Sequence, residues 1–148
     1  MHVDHSYGQR NARDRERLRH LVANITDEGL QQPVGGGWTV AAVLAHLAFW
    51  DEWVRARWDQ YARDGAIEDL PDGILDLANA AGLPLWRALL PRRAAELALA
   101  AAEEVDRRIE TLAAEAVAHA LSTGRPAMVD RSLHRGAHVD EVERVLAG

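Results

Sequence analysis

The segment SLHRGAHVDEVERVL, residues 132–146, places two histidines four positions apart. On a helix that spacing puts both side chains on one face, a turn from each other. The row through His134 and His138 continues into Val142 and Val145, so both imidazoles are expected to point inward. Two imidazoles so placed can converge on one cation at about 2.0–2.1 Å from each nitrogen. They can equally be core histidines with hydrogen-bond partners, and the spacing alone does not choose. Protease chemistry is excluded, because Arg135 stands where a zinc protease carries its general-base glutamate. Gly136, between the two histidines, costs about 1 kcal/mol of helix stability relative to alanine and allows close approach of another backbone or a ligand.

A third imidazole is His46, in VAAVLAHLAFWDEWV, where Val43, Leu47, Trp50 and Trp53 surround it at helical spacing. It too faces inward, and a buried imidazole costs free energy unless both nitrogens are used, by hydrogen bonds or by one bond and a metal. His2, His5, His20 and His119 have no such context and read as surface or singly bonded residues. The chain contains no cysteine, so disulfides, thiolate metal sites and a cysteine nucleophile are ruled out. Any metal must be held by imidazole and oxygen. Asp51, Asp140 and Glu141 are close enough in sequence to the three histidines to orient their distal nitrogens. Phe49, Trp50, Trp53, Trp58 and Tyr61 read mainly as core, while Trp38 in the glycine loop is placed to roof a pocket that Trp50 would also line.

These residues need a scaffold, and the composition gives its class. In 148 residues, 48% hydrophobic and 27% charged, a single globular domain with a proper core is expected. A net charge of −6 argues against a generic nucleic-acid binder. The arginines of RNARDRERLRH are interspersed with acids and read as a solvated helix face. No apolar run is long enough for a membrane span, and MHVDHSYGQR has no hydrophobic signal core, so a cytoplasmic protein without a membrane partner is expected.

Ala, Leu, Arg and Glu dominate, with little alternation of β-branched residues, which predicts an all-α fold. A first helix is expected from Ser6 or Tyr7 to Ile25, with Leu18, Leu21, Val22 and Ile25 inward. GLQQPVGGGW breaks the chain. Thr39 is the natural N-cap of a second helix running to about Asp64 and ending at Gly65. The next segment is a connector with one short helix around Ile74 to Ala80. A third long helix starts near Pro84 or Leu85, kinked at Pro91 or beginning there. A last helix is expected from about Asp130 to Leu146. Four long helices with unequal connectors predict a four-helix bundle, small enough for a homodimer through helix faces to remain open.

GGGWTVAAVLAHLAFWDEW followed by LHRGAHVDEVERVL resembles the DinB-like superfamily, which includes DinB proteins, bacillithiol transferase-like proteins and the N-terminal domain of mycothiol-dependent maleylpyruvate isomerase. The resemblance spans nearly the whole chain, although residues 66–127 carry no motif of their own. It implies a bundle in which a second-helix residue and two last-helix residues four apart hold a divalent ion, commonly zinc or nickel. Carried over, the triad is His46, His134 and His138, the set that the inward stripes also select. The isomerases carry glutamate in place of His134 and a further C-terminal domain that 148 residues cannot accommodate, so isomerase activity is not expected. The resemblance implies instead a thiol S-transferase joining a low-molecular-weight thiol, of mycothiol or bacillithiol type, to a small electrophile. An alanine- and arginine-rich chain without lysine suits a GC-rich genome and hence mycothiol. The alternative is a non-enzymatic, stress-associated metal-binding protein.

Overall fold

The computed structural model describes residues 4–148; His2 lies outside the described residues. Helix α1 spans Tyr7–Asn24 and a single turn, α2, spans Asp27–Leu30. Two short antiparallel strands follow, β1 at Pro33–Gly35 and β2 at Trp38–Thr39, with Pro33 opposite Thr39 and Gly35 opposite Trp38. Gly35, Gly36 and Gly37 all have positive φ (126°, 59° and 84°), a backbone path that side-chain-bearing residues rarely follow. The turn sets Trp38 beside the start of α3, Val40–Asp64. Thr39 caps that helix, its Oγ1 accepting from the Ala42 amide at 3.1 Å.

Helix α4 spans Ile74–Ala88, α5 Pro91–Glu110, α6 Ala114–Ser122 and α7 Ser132–Ala147, with one 3₁₀ turn at Pro126–Met128. Helices α1, α5, α3 and α7 form the bundle, each packed against the next in that cyclic order, and α4 lies outside against α3 and β2. Among the described residues the all-α expectation holds, with the small β1–β2 hairpin as the one exception.

Two boundaries differ from expectation. Helix α4 is not a short piece ending at Ala80; it runs on through Gly82 and Pro84. Its continuation carries Trp86 into the core, 7% exposed, against Phe49 and Trp38. The break comes instead at Leu89 and Leu90, both extended, because a residue before proline is pushed out of the helical region. Pro91 then opens α5 at a position where its missing amide donor is not needed. The third long helix, read in the sequence as continuing through TLAAE, ends instead at Glu110. Helix α6 returns Ala116, Val117 and Ala120 onto a second core with Trp58, Val105 and Ile109.

Close packing depends on small residues. Ala94, Ala95, Ala98 and Ala102 of α5 share the main core with Ala41, Ala42 and Ala45 of α3, which lets the two backbones approach. On α1 the arginine-rich segment is not simply a solvated face, since Asn11 and Asp14 are 3% and 1% exposed. Asp14 explains Gly136: a Cβ there would lie 2.7 Å from the Asp14 carboxylate. The glycine accommodates a neighbouring side chain rather than a ligand. Gly136→Ala should therefore destabilise the protein by about 1–3 kcal/mol in urea unfolding, as overpacking does. Combining it with Asp14→Ala should cost less than the sum of the two single changes.

Candidate metal centre

The inward stripe of α7 is centred one residue away from the histidines. Arg135, Gly136, Val139 and Val142 are its buried residues, while His134 and His138 flank them, half-buried. Both therefore border a cleft instead of filling the core. His46, 6% exposed, meets them from α3. The His46 ring centroid lies 4.9 Å from that of His134 and 4.8 Å from that of His138, and the two α7 rings are 4.7 Å apart. One nitrogen from each ring falls within 4.8 Å of the others.

The cleft measures about 670 Å³ and has the three histidines in its wall. Trp38 and Trp50, the pocket candidates of the sequence, are among its lining residues. Trp38 stands edge-on to His46 at 5.3 Å. Trp86, which sequence reasoning did not single out, makes the same kind of contact from α4 at 5.4 Å. Trp50 donates to Asn79 of α4 at 2.8 Å and so ties that helix to the cleft wall. Val34, Val43, Val54 and Leu75 make the rest of the lining largely apolar, and Arg131 reaches it from the residue before α7. The remaining described histidines lie elsewhere. His5 contacts Tyr7, His20 contacts Asn24, and His119 accepts from the Ile67 amide.

Of the three carboxylates expected to orient imidazoles, one does so. His138 Nδ1 donates to Glu141 at 3.0 Å, leaving Nε2 for the cleft. Asp51 does not reach a histidine, because Arg131 and Arg135 occupy its two oxygens at 2.8 and 3.3 Å. Asp140 is exposed and pairs with Arg17 at 2.5 Å. Asp51 belongs to a buried ionic cluster in which Arg135 makes a two-pronged contact with Asp106, both bonds 3.0 Å, and Arg15 joins Asp106 at 2.6 Å. Arg135 also donates to the Asn11 carbonyl. The cluster thus links α7 to α1, α3 and α5 and fixes the rotation of α7 that aims His134 and His138 at His46. Burial opposes the Arg135 charge, but Asp51 and Asp106 more than offset it and hold its pKa above the ordinary value.

A family model described as the DinB superfamily matches residues 10–139. The chain belongs to the DinB superfamily. No curated protein and no solved structure matches it. In this DinB-superfamily chain the histidine cluster fits a divalent cation on its own chemistry. His46 Nε2 and His134 Nε2 face each other at 2.9 Å, a contact between two lone pairs unless a proton or a cation lies between them. Their Nδ1 atoms are buried and have no partner among the described residues. That leaves Nε2 as the atom through which each ring can be satisfied.

Both rings are held neutral, as ligation requires. Burial, reinforced by His138, lowers the His46 pKa to about 4, with Asn79 opposing. Burial, reinforced by Arg131, lowers that of His134 to about 2. Since both fall below the ordinary imidazole value of 6.5, the unfolded chain takes up protons first on acidification. The corresponding stability is complete above 6.5 and is lost as pH falls towards 4. Thermal melts of chelator-treated protein should show that acid-side fall, and His134→Gln should make it shallower. Arg135→Met should lower the unfolding free energy by about 3–5 kcal/mol by leaving buried carboxylates short of a partner, measured by denaturant titration.

Proposed function

We propose that this protein is a divalent-metal-dependent thiol S-transferase, with His46, His134 and His138 holding one zinc or nickel ion. The observation that carries the reading is the convergence of three imidazoles in the wall of a roomy cleft. Three protein ligands are the number used by catalytic sites that keep a position for substrate, whereas structural sites are closed by four. When bound, the ion supplies Lewis acidity that favours the thiolate of an incoming thiol at neutral pH. The chain has no cysteine, so the sulfur must come from outside, from a low-molecular-weight thiol of mycothiol or bacillithiol type. Transfer forms a carbon–sulfur bond at the electrophile as its carbon–leaving-group bond breaks; the leaving group departs with that electron pair, and the thiol proton passes to solvent water.

The protein's own part is positional. Glu141 holds His138 in the tautomer that presents Nε2. Trp38 and Trp86 fix the plane of His46 from two sides. Trp50 and the valines of the cleft limit water around the reacting sulfur.

Elemental analysis of tag-free protein should find about one divalent ion per chain, absent from His46→Ala and from His138→Ala. Glu141→Ala should keep the ion but bind it about 10–100-fold more weakly. Metal-loaded protein should then consume a model electrophile in the presence of a small thiol, and both histidine variants should not. Failure to take up zinc or nickel would make the three histidines ordinary interior residues. Metal without turnover across a panel of thiols and electrophiles would favour a non-enzymatic binding protein.

A further inference from the structure

We propose that Arg131 is an anion subsite beside the three histidines, and that the molecule entering the cleft carries a carboxylate close to its reacting group. This deepens the reading above and rests on it for the cleft as the place where substrate binds.

Arg131 is only 4% exposed, yet it borders the cleft together with His134 and His138. Two of its three guanidinium nitrogens are anchored. Nε donates to Asp51 at 2.8 Å and Nη1 to the Ala127 carbonyl at 2.9 Å. Nη2 has no acceptor among the described residues, and it is not among the polar atoms sealed from solvent. A guanidinium offers five N–H donors in a rigid fork. Here the fork is pinned on two sides and its third nitrogen is left for the cleft. A ligand accepting from it would not have to immobilise a long flexible side chain.

The charge balance favours an anion. The buried cluster joins Arg15, Arg131 and Arg135 to Asp51 and Asp106, three cations against two carboxylates. Arg131 is the member of that cluster which reaches the cleft. Glu141, also in the wall, is engaged with His138. Asp76 stands on the exposed first turn of α4, where water screens it. A single free nitrogen matches one carboxylate, whereas a phosphate dianion needs several donors. Charge-assisted bonds of this kind are shorter and stronger than neutral ones, and the apolar walls enhance the effect.

The test is calorimetric titration of mercaptopropionate and of its neutral isostere, mercaptopropionamide, into the protein as purified, after chelation, and into Arg131→Gln and Arg131→Lys. The carboxylate should bind about tenfold tighter or better than the amide, as a charge-assisted bond predicts. The preference should survive chelation, shrink in Arg131→Lys and vanish in Arg131→Gln, with circular dichroism checking the fold. If Arg131→Gln does not fold, Arg131→Lys and the chelated protein decide. Equal binding of the two probes, or no binding of either at millimolar concentration, overturns the subsite. So does a preference that disappears on chelation and ignores Arg131, which would place the anion on the metal and leave the metal reading intact. A preference kept by protein that takes up no metal would retain the subsite while the metal reading falls.

Discussion

Arg135 projects from α7 into the centre of the bundle, and a guanidinium there must be neutralised before helices can close around it. Asp106 of α5 and Asp51 of α3 do this, with the Asn11 carbonyl of α1 as a further acceptor. Because each partner lies on a different helix, the requirement restricts how α7 can rotate and slide. A buried ion pair is a weak source of net stability, but its geometry is demanding. Here that demand sets the direction of the two residues along one side of the stripe, His134 and His138.

The same cluster shapes the electrostatics of the histidines. Arg131 and Arg135 both act on His134 in the direction that disfavours its protonation, adding to the effect of burial. A metal ligand must offer a lone pair, so positive charge nearby prepares the ring for a cation by keeping protons away, while also opposing the cation itself. Asp51 and Asp106 reduce that opposition by compensating most of the local charge. The aromatic wall of Trp38, Trp50 and Trp86 around His46 adds burial without adding charge.

Small residues make this arrangement possible. The alanines shared by α3 and α5 let those two helices pack closely in the main core. Gly136 does the same between α7 and α1, where Asp14 takes the space of a side chain. Glycine in a helix is unfavourable by itself, so its presence in α7 reflects a packing requirement and not a local preference.

The sequence by itself determined the helical class, the Thr39 cap, the end of α3 at Asp64 and the three histidines. These depend on local chemistry: side-chain periodicity, capping hydroxyls, and backbone paths open only to glycine. The range of α4 and the separation of α5 from α6 were not legible, because they depend on where Trp86 and Val117 find a core. Nor was the pairing of Asp51 with two arginines, or the reach of Arg131 into the cleft. Charged residues look alike in sequence whether they face solvent or each other, and only the tertiary fold, which brings α1, α3, α5 and α7 around one guanidinium, decides between those outcomes.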